Sequence, residues 1–262
     1  MSIEILLSVM NLDIKDLDKM NIKSPCTVIN QCGKIGFRKY KNFKIYDTAS
    51  IGIGISRNMA INKSKADILI FADNDCVYYN NFEKEILNFY KNYPKADAVI
   101  FNFKNSQIKE IKKITKLNHF NYQRHATYQI SFKKDKIKNI KINELFGGNS
   151  LYSHGEDTIF LKDCLKNKLK VYKSNAYIGK IINKKSTWFK GYTDKFFYDK
   201  GALYSVISPK LKYLNCLQYL IRHKNVRNKN FLKTLKLMFK GAKSYKKGIP
   251  YERFNNRHSA HL

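Results

Sequence analysis

Residues 67–72, Asp-Ile-Leu-Ile-Phe-Ala, are apolar at every position after the first and end directly in Asp73-Asn74-Asp75. A strand with no polar alternation needs cover on both faces, which places it inside a largely parallel sheet flanked by helices. Its neighbours agree. Ile3 to Met10, Pro25 to Asn30, Phe43 to Asp47 and Ala98 to Phe103 are further short apolar runs, and segments of helical period lie between them. Asp13 is positioned to cap a short helix through Met20, and Ser56 to cap one running to about Ala66. Phe82, Ile86, Phe89, Tyr90 and Tyr93 recur at helical spacing before Pro94 and read as a core-facing stripe. The fold class expected is α/β, an α/β/α sandwich on a mostly parallel sheet.

Past Phe103 the pattern weakens. Residues 104–143 are basic and irregular, with a strand expected at Tyr128 to Phe132. Gly147-Gly148 makes a loop, Gly155 precedes a helix from Thr158 to Asn167, and a strand is expected at Leu169 to Tyr172. Beyond Gly201, two amphipathic helices are expected, with Lys and Arg between apolar positions such as Leu214, Leu217, Leu235 and Met238. The domain reading is therefore a catalytic unit over 1–200 and a basic helical extension over 201–262.

At 262 residues the chain can bury one substantial core. Fifty Lys and Arg against twenty Asp and Glu give a net charge of +30, enough to attract phosphates, nucleic acid or anionic lipid. The wealth of Lys, Asn, Ile and Tyr also fits AT-rich coding, so charge alone does not select a partner. Five cysteines without a C-x-x-C pair suit reduced thiols rather than disulfides or zinc. No apolar run approaches the roughly 20 residues that span a bilayer, and Met1 to Leu7 carries Glu4 without a basic leader segment. A cytoplasmic location is expected, peripheral at the inner face of the membrane if the basic helices lie on anionic lipid. A helical lid packed on the catalytic unit is the alternative for those helices.

Two features concern chemistry. Asp73 and Asp75, one residue apart after a buried strand, can face one small volume, although Asp/Asn clusters also follow strands merely as turn formers. Gly52-Ile53-Gly54-Ile55-Ser56-Arg57-Asn58 is a glycine loop opening a helix, with a permanent cation at its start, a form suited to approaching a diphosphate. Glu156 and Asp157 after Gly155 read locally as a helix cap. His154-Gly155-Glu156 does not make a zinc deaminase, because the partner Pro-Cys-x-x-Cys is missing.

The order Ser8-Val9-Met10-Asn11, Gly54-x-Ser56-Arg57-Asn58, Phe71-Ala72-Asp73-Asn74-Asp75 and Gly155-Glu156-Asp157 resembles the GT-A glycosyltransferases of family 2, over roughly residues 3–200. The resemblance implies an inverting transfer of a sugar from a nucleotide-sugar donor, UDP-linked by expectation, to a saccharide or lipid-linked saccharide acceptor in bacterial surface polysaccharide synthesis. It implies Asn11, Gln31, Arg57, Asp73 and Asp75 as nucleotide-sugar-binding residues, and Asp75 with Asp73 as ligands of Mn²⁺ or Mg²⁺. Asp157 is implied as the base, with Glu156 supporting it. The segment from Ser186 to Tyr192 is similar to one that follows the base in such enzymes, and Trp188 and Gly148 are expected at the acceptor. Two positions depart from the pattern: Asn30-Gln31-Cys32-Gly33 stands where Asp-Asp-x-Ser is usual, and Ile182-Asn183-Lys184-Lys185 lacks a histidine. A nucleotidyltransferase of related fold and a basic nucleic-acid-binding protein are the competing readings, though no specific nucleic acid partner is expected.

Overall fold

The computed structural model describes residues 1–182, 191–223 and 230–253. Ten strands form one sheet: β1 (Ile3–Met10), β2 (Cys26–Gln31), β3 (Gly36–Tyr40), β4 (Phe43–Thr48), β5 (Ile68–Ala72), β6 (Cys76–Tyr78), β7 (Ala98–Lys104), β8 (Thr115–Lys116), β9 (Ile130–Lys133) and β10 (Val171–Ile181). The helices are α1 (Ile14–Lys19), α2 (Ile53–Lys63), α3 (Phe82–Asn92), α4 (Glu156–Lys166), α5 (Asp194–Ile207), α6 (Lys212–Arg222) and α7 (Phe231–Ser244).

The sheet order is β3-β4-β2-β1-β5-β9-β7-β10-β6, with β8 on β10. Residue parity along β1 and β5 shows why these strands lack polar alternation. Ile5 and Leu7 of β1, with Ile68 and Ile70 of β5, pack against Leu17 of α1 and Ile86 and Phe89 of α3. Leu6, Leu69 and Phe71 point the other way, to Ala60 of α2 and Phe160 and Leu161 of α4. Glu4 is tolerated on that second face because Thr27, Ser64 and the Lys65 N–H all donate to its carboxylate.

The expectation of a mostly parallel sheet needs correction. β4, β2, β1 and β5 are mutually parallel, as are β7 and β10. β9, however, lies antiparallel between β5 and β7, and β3, β6 and β8 pair antiparallel too. Between β7 and β9 the chain runs down to β8, where Lys116 pairs with Tyr172 near the start of β10, and returns to enter β9 opposite Ile100. Four of the five cysteines are buried, and all five are free thiols.

Helix starts also differ from expectation. α2 begins at Ile53 with Gly52 as its cap, and Ser56 sits one turn inside, where its hydroxyl donates to the Ile53 carbonyl. α4 begins at Glu156, not Thr158, behind Gly155, whose φ of 113° is open to glycine.

The expected amphipathic pair is present as α6 and α7, but α5 precedes it, and the break expected at residue 200 falls inside α5. Together with Phe146, Tyr152 and Ile159, the three helices form a separate apolar cluster. α5 and α7 cross backbone to backbone at two glycines. A Cβ on Gly201 would lie 1.9 Å from the Met238 carbonyl oxygen, and one on Gly241 1.9 Å from that of Tyr198.

Candidate active site

The carboxyl ends of β1, β2 and β5 and the N-termini of α2 and α4 meet at one edge of the sheet, where open α/β sheets place their ligands. Arg57 is the centre of this meeting. Its side chain is 4% exposed. Nη2 donates to Asp73 Oδ1 at 3.0 Å, and Nη1 to Glu156 Oε1 at 3.2 Å and Thr127 Oγ1 at 3.0 Å. The guanidinium carbon lies 5.6 Å from the Phe71 ring centroid. A buried cation is stable only when paired, and here one arginine joins the ends of β5 and α4.

Two glycines and an asparagine set this geometry. A Cβ on Gly54 would come within 2.6 Å of the Asn143 carbonyl oxygen, and one on Gly147 within 2.9 Å of Glu156 Oε2. Asn58 accepts from Ile142 N–H and donates to Ile142 O and Glu144 Oε1, so the loop before Gly147 is fastened to α2. Gly148 O takes the Ile53 N–H at 3.1 Å.

Four carboxylates, Asp73, Asp75, Glu156 and Asp157, share this region with one buried arginine, so the local field is negative. Burial, reinforced by the charge of Glu156, pushes Asp157 up to about 7, although Thr158 N–H and Arg57 act against it. Burial, then the neighbouring Asp73 charge, raises Asp75 to about 6. Among the described residues no side chain donates to the Asp75 carboxyl. Two carboxylates that repel one another, one without a side-chain donor among the described residues, fit a divalent ion that takes its remaining ligands from water and substrate phosphates. The described residues hold no cluster of three or more Asp, Glu, His or Cys side chains able to bind a metal by themselves.

A cavity of about 870 Å³ opens from this group. Arg57, Asp73, Glu156 and Asp157 line it with Gly148 and Asn149, and so do Arg124 and Lys200, Tyr204, Tyr219, Arg222 and His223 of the C-terminal helices. The surfaces of α5 and α6 therefore form part of the wall.

The residues expected from sequence divide accordingly. Arg57, Asp73, Glu156, Asp157 and Gly148 come together at the cavity. Asp75 sits on the turn between β5 and β6, its carbonyl accepting from Ile182 N–H at 3.0 Å. Asn11 lies at the end of β1 with φ 48° and its N–H on Gln31 O, exposed and outside the cavity lining. Gln31 is 5% exposed, and its Oε1 takes the Gly52 N–H at 2.7 Å, so it anchors the glycine loop. Trp188 lies outside the described residues. In the departed Asn30-Gln31-Cys32-Gly33 stretch, Asn30 donates to Asp47 Oδ1 at 2.6 Å, and Arg38 pairs with the other oxygen of Asp47.

Sequence reading missed Thr127, Arg124, His154 and Lys200. Burial, countered by Asp157 and reinforced by Arg124, lowers the Lys200 ammonium to about 8. His154 is held well below the ordinary imidazole range by burial and by Lys200 and Lys195. The helical spacing of Phe196, Lys200 and Tyr204 was the one available signal, and it says only that they share a face.

A family model described as Glycosyl transferase family 2 matches residues 28–160. No curated protein sequence matches the chain. Solved structures of S. aureus TarS are similar. The form spanning its residues 1–349 in complex with UDP-GlcNAc is 12% identical, covers 96% of this chain and 93% of that one, and has a TM-score of 0.62. A longer TarS chain is 14% identical with the same TM-score; the match covers 97% of this chain and 50% of that one. The same 1–349 form in complex with UDP is 13% identical, covers 96% and 93%, and gives 0.58.

Proposed function

This chain belongs to glycosyl transferase family 2, and we propose that it transfers a sugar with inversion from a UDP-linked donor to a saccharide or lipid-linked saccharide acceptor of the bacterial surface. Family membership makes it a glycosyltransferase rather than a nucleotidyltransferase. The observation that carries the rest is Arg57 holding Asp73 and Glu156 beside Asp157, whose ionisation near 7 matches a general base at neutral pH.

In this reading Asp157 takes the proton of the acceptor hydroxyl while that oxygen bonds to the anomeric carbon and the nucleoside diphosphate leaves from the opposite face. One displacement inverts the configuration. Glu156 fixes Arg57, and Arg57 fixes Asp73. Asp75 and Asp73 would hold a divalent cation, which when bound supplies charge neutralisation of the departing diphosphate. UDP is favoured because the similar TarS structures hold UDP and UDP-GlcNAc.

The helical extension is proposed to begin at α5 and to serve the acceptor, since residues of α5 and α6 line the cavity. No helix among the described residues is long and apolar enough to cross a membrane. Exposed Leu211, Leu214, Ile221 and Leu232, among lysines, support peripheral contact with anionic lipid. Thermal-shift titration with UDP, GDP, CDP and TDP, with and without Mn²⁺, tests the donor assignment: stabilisation by UDP that increases with Mn²⁺ is expected. Equal or absent shifts with all four would overturn it.

A further inference from the structure

The cavity is lined by two linked groups of charges: Arg57 joins Asp73 and Glu156, and Arg124, His223 and Lys200 form a second, basic group, with Arg222 also in the lining. The basic group is continuous. Arg124 Nη2 lies 3.3 Å from His223 Nε2, His223 stacks on Tyr219 at 4.4 Å between centroids, and the Lys200 ammonium sits 5.3 Å from the centre of that same ring. Among the described residues no carboxylate lies within ion-pair distance of Arg124, Lys200 or Arg222. Glu252, also in the lining, is 2.9 Å from Lys195. Neighbouring cations without an anion repel one another, and a bound anion would relieve that repulsion.

We infer that this basic group is an oxyanion subsite, and that the acceptor carries a phosphate or carboxylate group near the hydroxyl that receives the sugar. The inference rests on the transferase reading and specifies its acceptor. Two observations assign the anion to the acceptor rather than to the donor diphosphate. Lys200 lies within reach of the charge of Asp157, the base that faces the acceptor hydroxyl. Asp75, where the diphosphate and its cation would sit, is not among the residues lining the cavity. Aromatic Tyr192, Phe196 and Tyr219 among the cations suit a polyol or sugar ring attached to the anionic group.

The test is calorimetric titration of the full chain, with the donor site saturated by UDP and Mn²⁺, using an oligomeric glycerol phosphate, an oligogalacturonate and neutral maltotetraose as probes. Binding of at least one anionic probe and not of maltotetraose is expected. Arg124 and Arg222 are exposed, so Arg124→Ala/Arg222→Ala should fold. It should weaken the anionic probe by about tenfold or more while the UDP affinity stays within about twofold. Preference for the phosphate or the carboxylate oligomer names the acceptor anion. Binding that UDP abolishes would assign the cations to the donor and overturn the inference, as would equal binding to wild type and double variant. If UDP itself fails to bind, the donor reading falls; cation-dependent binding of an anionic probe would then still establish the subsite.

Discussion

Replacing Asp157 by Asn should inactivate the enzyme and stabilise the protein, and the pH dependence of the stabilisation is the sharper of the two results. The carboxyl goes from its ordinary value of 3.8 to about 7 because burial and Glu156 disfavour its charge. Between those values the unfolded chain ionises Asp157 and the folded chain does not. The folded state therefore binds the extra proton, and stability falls as pH rises. At 1.36 kcal/mol per pKa unit the cost reaches about 4 kcal/mol above pH 7. It is absent below about pH 4, where both states are protonated.

Asparagine keeps an oxygen for the Thr158 N–H, which donates at 2.5 Å, but carries no charge. The stability gained by Asp157→Asn should therefore grow by about 1.4 kcal/mol per pH unit from 4 to 7 and then level off. For a chain of this length, at about 2 °C per kcal/mol, that is about 5–8 °C in Tm at pH 8, the lower figure allowing for partial solvent access. Differential scanning fluorimetry of both proteins at half-unit steps from pH 5 to 8 measures the slope. Transfer should fall by about 10² to 10⁴, the range for a lost general base. A Tm difference that is flat with pH, or a less stable Asn variant at pH 8, would refute the claim that Asp157 is held neutral by its surroundings.

Four other perturbations address the rest of the site. Arg57→Met leaves Asp73 and Glu156 without their cation and should cost about 3–5 kcal/mol in urea unfolding, whereas Arg57→Lys should retain part of the stability but lose the fork to the two carboxylates and Thr127. Mn²⁺ affinity in the presence of UDP, followed by electron paramagnetic resonance, should strengthen about tenfold per pH unit up to about 6 and plateau above, because Asp75 must ionise to bind; a flat profile from pH 5 to 7 would exclude Asp75 as a ligand. The wild-type rate should rise with pH through about 7 as Asp157 ionises, and the limb should vanish in Asp157→Asn. Gly241→Ala would gain up to about 1 kcal/mol if the helix were exposed, but with Tyr198 O 1.9 Å from the new Cβ it should instead lose about 3 kcal/mol or more, read as a lower urea midpoint.

Much of the sheet was legible because β1, β5 and β7 are buried on both faces and β4 alternates, so these strands and β2 appear within a residue or two of their observed ends. β3, Gly-Phe-Arg-Lys-Tyr, was not, because an edge strand exposed on most of its length carries no apolar signal. β10 was cut short at Tyr172, where Lys173-Ser174-Asn175 reads as a turn; the structure keeps the strand going through register shifts between Lys173 and Gly179. Antiparallel β9 was expected near its observed place, but its direction depends on the route of residues 105–129, and no local pattern encodes that route.

The site shows the same division more sharply. Asp73, Glu156 and Asp157 stand next to local signals, a strand end and a glycine-led helix start, and the sequence supplied them. What Arg57 does was hidden. Its partners lie 16, 70 and 99 residues away, and only the folded sheet edge makes them one group. The expectation that Arg57 holds the nucleotide therefore acquires a condition: with three of its five N–H donors engaged by two carboxylates and a hydroxyl, a diphosphate can take only the two that remain unless a partner is released. Asp73, 38% exposed against 16% for Glu156, is the partner more easily given up to solvent or substrate. The arrangement thus favours Arg57 as the residue that sets the spacing between the donor carboxylates and the base. The basic group lies one step further from sequence, since Lys200 sits beside Gly201, where Gly201 and Gly241 let α5 and α7 cross at backbone contact.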